Sequence, residues 1–244
     1  MKILFAGNGR AGKECLEFLL ARDNPVVGVM TKTLGDIANE HNIPIVLPCV
    51  EDIEPLGADM LYSVYYHKRV PKDVLDMMKY AINLHGGRLP EYKGCKSNIW
   101  AIINDDDRSG VTMHTMTEEF DEGTIVDKKY VPITNEDTGE SLYEKTTDAA
   151  VKLFKKFVPR FEKNGFLYAE PITSGRYYNK ALPNNGEIDW SQLPRDIYNF
   201  IRALYHPPFE PAHTMVDGKK LYVYRAILDN DYVVITDARF EMIK

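Results

Sequence analysis

The 244-residue chain has a formal net charge of −6, and 44% of its residues are hydrophobic and 27% charged, which is typical of a soluble globular protein. A negative net charge disfavours nucleic acid as a partner, and no apolar run approaches the ~20 residues of a membrane span. The three cysteines are scattered without metal-ligand spacing, and the N-terminus lacks the apolar core of a signal peptide. We therefore predict a cytoplasmic protein without a metal site and without a membrane partner.

The first part of the chain alternates short apolar runs with helical segments. Strands are predicted at 2–6, 26–30, 43–46, 59–65 and 81–84. Helices are predicted after the glycine-rich turn at 7–12, at 36–41 and from Pro71 onward. Strands that alternate with helices at this rhythm predict an α/β fold with a mostly parallel, twisted sheet.

The second part of the chain is less regular. A helix is predicted at 97–103, strands at 111–116 and 123–130, and a long helix at 139–161. Beyond Pro171 the chain becomes rich in turns, and a helix at 194–205 precedes a hairpin signal at Asp217-Gly218. We place a domain boundary at residue 176, so that domain 1–176 is followed by a small α+β subdomain at 177–244.

The turn at 7–12 has the G-x-G-x-x-G spacing of dinucleotide-binding sites, between a strand and a helix. Such sites usually have an acidic residue at the end of the second strand, whereas residues 30–32 are Met, Thr and Lys. Three interpretations remain open. The turn can bind NAD(P), its Asn8 or Arg10 can contact a substrate, or its glycines can serve only helix–sheet packing.

Asn83 and His85 form a stronger candidate site. Period-two alternation places both on one side of a strand, at the carboxyl edge where α/β sheets bind ligands. The following Gly86-Gly87 allows close approach of a ligand to the backbone. Asp121 lies in a turn and, taken alone, fits an ordinary turn aspartate. Together, an amide, an imidazole and a carboxylate indicate acyl-transfer chemistry.

These residues lie within motifs that resemble the folate-dependent formyltransferases. The matching segments are INLHGGRLPEYKG at 82–94, AIIND at 101–105, SGVTMHTM at 109–116 and FDEGTIV at 120–126. The resemblance is clear over residues 1–130, and GEIDWSQLPRDIYNFIRAL with VDGKKLYVYRA is similar to the tail of longer family members. The family includes glycinamide ribonucleotide, methionyl-tRNA and nucleotide-linked amino-sugar formyltransferases.

The resemblance implies a Rossmann-like formyltransferase domain in which Asn83, His85 and Asp121 are catalytic. The formyl donor would be 10-formyltetrahydrofolate, which leaves as tetrahydrofolate, and the acceptor an amine. Contacts to the folate are expected from Lys68, Arg69, Val70, Gly86, Leu89 and Thr117. Contacts to the acceptor are expected from Asn8, Arg10, Tyr66, Arg176 and Tyr178.

Three branches of the family compete for the acceptor. The methionyl-tRNA enzymes are longer and carry a basic C-terminal domain, and the glycinamide ribonucleotide enzymes lack the IDW…IRAL extension. Gly86-Gly87 replaces the Pro-Ser common in the family, Lys93 replaces a common Arg, and paired aromatics occur in SVYYHKRV. The glycines and the aromatic pair resemble amino-sugar members.

We therefore predict a sugar N-formyltransferase that acts on a nucleotide-linked amino-deoxysugar in the synthesis of O-antigen or lipopolysaccharide precursors. The alternatives are a methionyl-tRNA or glycinamide ribonucleotide formyltransferase. Outside the family they are an NAD(P)-dependent dehydrogenase or a non-catalytic nucleotide-binding module. The apolar C-terminal hairpin also suits a homodimer. The nucleotide and the sugar remain open.

Overall fold

The computed structural model describes residues 1–22, 24–166, 168–230 and 232–240, which form two compact units. Unit 1 comprises residues 1–93, 110–130 and 146–176, and unit 2 comprises residues 94–109, 131–145 and 177–244. The sequence assigned 94–109 and 131–145 to the first domain, whereas both group here with the C-terminal residues. One reason is that Asp105 accepts hydrogen bonds from Arg195 and Asn199 of the C-terminal segment. The predicted division at residue 176 into two domains stays a prediction.

The described part of the chain contains these strands and helices. The strands are β1 (Ile3–Gly7), β2 (Val26–Val29), β3 (Met60–Val64), β4 (Tyr80–His85), β5 (Tyr92–Gly94), β6 (Arg108–Thr115), β7 (Thr124–Pro132), β8 (Glu170–Pro171), β9 (Arg176–Tyr178), β10 (Ala212–Val216), β11 (Lys219–Asp229) and β12 (Tyr232–Phe240). The helices are α1 (Gly9–Leu20), α2 (Gly35–Glu40), α3 (Val50–Ile53), α4 (Lys72–Met77), α5 (Ser97–Ile103), α6 (Gly139–Asn164) and α7 (Pro194–Leu204).

Seven strands form one sheet in the order β2-β1-β3-β4-β6-β7-β8. The four strands β1 to β4 run parallel, whereas β6 pairs with β4 in the antiparallel direction. The predicted α/β fold with a mostly parallel sheet is therefore confirmed. A second sheet of β10, β11 and β12 is antiparallel and lies in unit 2.

The predicted strand at 43–46 is wrong. Ile45 makes only a single bridge to Val29, on the outer side of β2. The segment contains Pro44 and is followed by Pro48. Because proline has no backbone N–H, each one removes a donor from the ladder that a strand requires.

The remaining predicted elements are present, with ends that differ by a few residues. The strand predicted at 111–116 begins at Arg108, and the long helix continues to Asn164 instead of ending at residue 161. The predicted hairpin is confirmed, because Asp217 and Gly218 join β10 to β11 with positive φ angles. Both residue types adopt this backbone region readily.

The core of unit 1 surrounds its central strands. All five residues of β1 and all five of β3 are buried, as expected for parallel strands covered on both faces. Tyr62 of β3 packs edge-on against Phe154 of α6, with ring centroids 5.1 Å apart. Because β1, β3 and β4 are parallel, their carboxyl ends share one edge of the sheet, and this edge carries the candidate site.

Candidate active site

The strand β4 places Asn83 and His85 at the carboxyl edge of the sheet. Asn83 lies in register between Ser63 of β3 and His114 of β6, and His85 is paired with Thr112 of β6. Side chains that share a register position project from the same face of a sheet. The polar side chains of three neighbouring strands therefore meet around Asn83.

Asp121 reaches this edge from the turn between β6 and β7. Its φ of +55° is left-handed, a region that aspartate tolerates better than most residues. Gly123 has a φ of +104°, and a Cβ there would overlap the carbonyl oxygen of Thr115. The backbone N–H of Thr124 also donates to Oγ1 of Thr115 at 3.0 Å. These constraints place Oδ1 of Asp121 3.2 Å from Nδ1 of His85.

The imidazole of His85 faces an acceptor on each side. Its Nε2 lies 2.8 Å from the carbonyl oxygen of Tyr92, and its Nδ1 faces the carboxylate of Asp121. A carbonyl oxygen only accepts, so Nε2 carries a proton. The carboxylate favours a second proton on Nδ1. The arrangement therefore suits a positively charged ring whose counter-charge is Asp121.

His114 is the main functional candidate that sequence reasoning missed. Its side chain is almost fully buried, and its Nε2 lies 3.0 Å from Nδ2 of Asn83 and 3.7 Å from Oδ1 of Asp121. Burial lowers the pKa of His114, against the opposing effect of the Asp121 charge, and the charge of His85 lowers it further. The sequence predicted the strand that carries His114 but gave the residue no role.

An ion pair between a buried lysine and a half-exposed glutamate lies beside the site. Nζ of Lys93 donates to Oε1 of Glu122 at 2.7 Å, and Lys93 is only 5% exposed. Lys93 directly follows Tyr92, and Glu122 directly follows Asp121. The ion pair therefore links the two segments that hold the two nitrogens of His85.

The residues predicted to contact folate differ in burial. Val70 and Leu89 are buried, Gly86 is half-buried, and Lys68, Arg69 and Thr117 are exposed. Arg69 forms an ion pair with Glu119 at 3.0 Å. A Cβ at Gly86 would lie 3.1 Å from the ring of Tyr65, so the second role of this glycine is to accommodate that ring. The folate contacts themselves stay predictions.

Three of the residues predicted to contact the acceptor lie in the first seventy residues of unit 1. Nδ2 of Asn8 donates to the Tyr65 carbonyl at 3.1 Å, and its Oδ1 accepts hydrogen bonds from the hydroxyls of Thr31 and Thr33, both at 3.2 Å. Arg10 is ion-paired with Glu14 at 3.0 Å and with Asp148 at 2.7 Å. The hydroxyl of Tyr66 donates to the carbonyl of Met30 at 3.3 Å.

The other two predicted acceptor contacts are separated by the unit boundary. Arg176 is exposed and belongs to unit 1. Tyr178 is buried in unit 2, where its hydroxyl accepts a hydrogen bond from Asn104 at 3.1 Å and its ring packs on Trp100. The structure thus gives Tyr178 a packing role, and a contact with the acceptor stays a prediction for both residues.

The described part of the chain contains neither a metal-binding cluster nor a membrane-spanning helix. Within the described ranges, no three His, Cys, Asp or Glu side chains are arranged to hold a metal ion. None of the helices in the described part of the chain is long and apolar enough to cross a membrane.

A surface cavity of about 300 Å³ in unit 2, lined by residues 205–211 with Tyr222 and Tyr224, contains none of the predicted site residues.

Two family profiles and two known formyltransferases are similar to this chain over most of its length. Residues 21–158 match the family profile described as "Formyl transferase", and residues 180–233 match "Formyl transferase, C-terminal domain". The GDP-perosamine N-formyltransferase of Brucella melitensis is 33% identical, over 93% of this chain and 95% of that protein. The methionyl-tRNA formyltransferase of Streptococcus thermophilus is 29% identical, over 93% of this chain and 80% of that protein.

Two further proteins are similar either over a small part of their length or at low sequence identity. The bifunctional polymyxin resistance protein ArnA of Wigglesworthia glossinidia brevipalpis is 33% identical over 77% of this chain, which spans 30% of that protein. The crystal structure of an N-formyltransferase from Helicobacter canadensis, in complex with folinic acid and dTDP-3-aminofucose, superposes with a TM-score of 0.76. That comparison covers 94% of this chain and 88% of the other at 23% identity, which shows a shared fold.

Proposed function

We propose a specific reaction for this chain, which belongs to the formyl transferase family. It formylates the amine of a nucleotide-linked amino-deoxysugar, with 10-formyltetrahydrofolate as the donor. Family membership makes the chain a formyltransferase, an enzyme that transfers a one-carbon group. Beyond this family membership, we propose the donor, the acceptor and the catalytic roles of individual residues.

The hydrogen bonding of the Asn83 amide is the observation that best supports the proposal. Its Oδ1 accepts a hydrogen bond from the hydroxyl of Ser63 at 2.7 Å, and one N–H is directed at His114. An amide nitrogen has two N–H donors, and the second has no hydrogen-bond partner among the described residues. This donor can stabilise the oxyanion of an acyl-transfer intermediate, a contribution typically of about 10²–10³ in rate.

The proposed reaction begins with attack of the neutral amine on the formyl carbon. A carbon–nitrogen bond forms, and the carbonyl electrons move to the formyl oxygen, where the N–H of Asn83 and the charge of His85 stabilise them. Asp121 balances the charge of His85 and accepts the amine proton, directly or through water. The intermediate then collapses, the bond to the folate nitrogen breaks, and that nitrogen takes up the proton.

The structure sets one condition on the role of His85. Its Nε2–H donates to the carbonyl of Tyr92, and its Nδ1 faces Asp121. Direct donation to the formyl oxygen therefore requires Nε2 to exchange the Tyr92 carbonyl for the substrate. Without this exchange, His85 acts on the oxyanion through its positive charge alone.

The amino-sugar acceptor is supported by the similarity to the GDP-perosamine N-formyltransferase of Brucella, which extends over 95% of that protein. The similarity to a streptococcal methionyl-tRNA formyltransferase supports a second candidate, methionyl-tRNA. The net charge of −6 favours the sugar, because tRNA binding depends on basic residues that contact phosphates.

An acceptor panel tests the proposal. The purified chain is incubated with 10-formyltetrahydrofolate and, separately, with GDP-perosamine, dTDP-3-aminofucose, UDP-linked amino sugars, methionyl-tRNA and glycinamide ribonucleotide. We expect mass spectrometry to detect formylation of one of the sugar nucleotides, at a rate lowered about 10³-fold in Asp121→Asn. Formylation of methionyl-tRNA alone, or of no sugar at any concentration, would overturn the amino-sugar proposal.

We also propose that the chain forms a homodimer through the hairpin of β11 and β12. Ile227 and Val234 are exposed cross-strand neighbours, and Tyr232 beside them is 74% exposed. Such an apolar patch suits burial against a second copy. Sedimentation should show a dimer for the native chain and a monomer for Val234→Glu, with Lys219→Glu as the control. A native monomer would contradict this proposal.

The remaining parts of the proposal concern the cell. We propose a cytoplasmic enzyme that contributes formylated sugars to O-antigen or lipopolysaccharide precursors, since these polymers are assembled from nucleotide-linked sugars. Deletion of its gene should remove the N-formyl group from the surface polysaccharide. A polysaccharide unchanged by the deletion would contradict this role.

A further inference from the structure

Three polar side chains form a row across the sheet beside the reacting atoms. This polar row consists of Ser63, Asn83 and His114, which occupy matched register positions in β3, β4 and β6. Ser63 is 3% exposed and His114 2% exposed, so both are shielded from solvent. Buried polar groups of this kind are normally hydrogen-bonded, and here the central partner of both is the Asn83 amide.

The proton positions in the polar row follow from its neighbours. Nδ1 of His114 lies 3.0 Å from the carbonyl oxygens of both Thr115 and Glu122. These oxygens only accept, so the proton of His114 is on Nδ1. Burial lowers the pKa of His114 and keeps the ring neutral, which leaves a lone pair on Nε2. This lone pair accepts the N–H of Asn83 at 3.0 Å.

We infer that Ser63 and His114 are positioning residues that fix the orientation of the Asn83 amide. The inference rests on the proposed function, in which Asn83 stabilises the oxyanion. If the amide were flipped, its oxygen would face the lone pair of His114. The neutral ring has no second proton to relieve that contact, because its proton is held by two carbonyls. His114 therefore sets the direction of the free N–H.

Ser63 contributes less than His114 because a hydroxyl can rotate. Its Oγ–H donates to Oδ1 of Asn83 at 2.7 Å, but the same oxygen can accept a hydrogen bond from a flipped amide. The imidazole of His114 has no such freedom. The two residues should consequently differ in the size of their effect on turnover, with the same sign.

Kinetics with a double-mutant cycle test the inference. We expect His114→Leu to lower kcat about 10²-fold and Ser63→Ala about 10-fold, with KM for both substrates changed less than about twofold. Ser63→Thr, which keeps the hydroxyl, should restore most of the loss. In an Asn83→Ala background, both substitutions should cost less than about twofold, because residues that act through one group are non-additive.

A matched control separates this effect from damage to the strand. Met113 is fully buried and neighbours His114 on β6, but successive side chains of a strand project to opposite faces. Met113→Leu should keep kcat within about twofold of the native value. Full additivity with Asn83→Ala, or equal losses for Met113→Leu and Ser63→Ala, would overturn the inference.

Nitrogen NMR of the native chain provides a readout that needs no substrate. With ¹⁵N-labelled histidine, His114 should show the neutral Nδ1–H tautomer above and below the ordinary histidine pKa of about 6.5. A proton on Nε2, or conversion to imidazolium near that pH, would overturn the inference even in an active enzyme. If the acceptor panel instead shows no sugar formylation, the proposed function fails while this measurement still stands.

Discussion

Two asparagines, Asn8 and Asn83, lie at the same edge of the sheet and have different surroundings. Asn8 follows β1 and bonds to a backbone carbonyl and two threonine hydroxyls, which joins the ends of three strands. Asn83 bonds to Ser63 and to His114, and Asp121 and His85 lie next to His114. A polar residue at the carboxyl edge is therefore insufficient for a site. Ionisable groups must also lie close to that residue, and of these two asparagines Asn83 is the one with a histidine as a hydrogen-bond partner.

The largest expected effect is at the carboxylate beside Asn83. Asp121→Asn should lower kcat about 10³-fold, because the substitution removes both the counter-charge of His85 and the acceptor of the amine proton. Asparagine tolerates the left-handed backbone at this position, so the fold should be kept. Single-turnover kinetics and folate binding by calorimetry measure the two quantities. A kcat within about tenfold of the native value would remove Asp121 from the mechanism.

Outside the polar row, the ion pair beside the site should have the next largest effect. Lys93→Met should lower the free energy of unfolding by about 1 kcal/mol, because a charged hydrogen bond to the half-exposed Glu122 is lost and water can solvate the remaining carboxylate. It should also lower kcat about tenfold, because the segments that hold His85 are no longer linked. Urea denaturation and steady-state kinetics provide the measurements. Lys93→Arg keeps the charge and is the matched control; equal losses for both variants would argue against the ion pair.

The ionisable surroundings of Asn83 should appear in the pH dependence of stability. The pKa of His114 is lowered by burial, so this histidine binds a proton more readily in the unfolded chain than in the folded chain. Stability is therefore retained above the unfolded value of about 6.5 and falls as the pH drops below it, by up to about 1.4 kcal/mol per pH unit. His114→Gln should flatten this slope in urea titrations. His206 and His213, whose pKa values are also lowered by burial, should maintain a residual slope. An unchanged slope in the variant would contradict the assignment.

The smallest effect is expected at the other asparagine. Asn8→Ala should lower the free energy of unfolding by about 1 kcal/mol, because its bonds to the strand ends are lost, while kcat stays within about twofold. The KM for the acceptor tests the contact that the sequence predicts for Asn8. A rise of about tenfold would support the contact, and an unchanged KM would leave Asn8 with a structural role alone.

The sequence predicted the elements that carry the site because their signals are local. The apolar runs of β1, β3 and β4, the alternation around Leu84, and the glycine after Asp121 are all visible within a few residues. The roles of Ser63 and His114 depend on register between positions 20 and 31 residues apart. The partner of Lys93 is 29 residues away. Such pairings are fixed by the packing of the whole sheet, so no local pattern indicates them.

The left-handed backbone at Asp121 has an evolutionary consequence. Glycine, asparagine and aspartate adopt this conformation at low cost, and other residues strain the turn. A single base change converts an aspartate codon into an asparagine or a glycine codon. A lineage that abandons the reaction therefore has two direct routes that keep the turn intact. A descendant with Asn or Gly at position 121 in an otherwise unchanged site would be a folded binding protein derived from an enzyme.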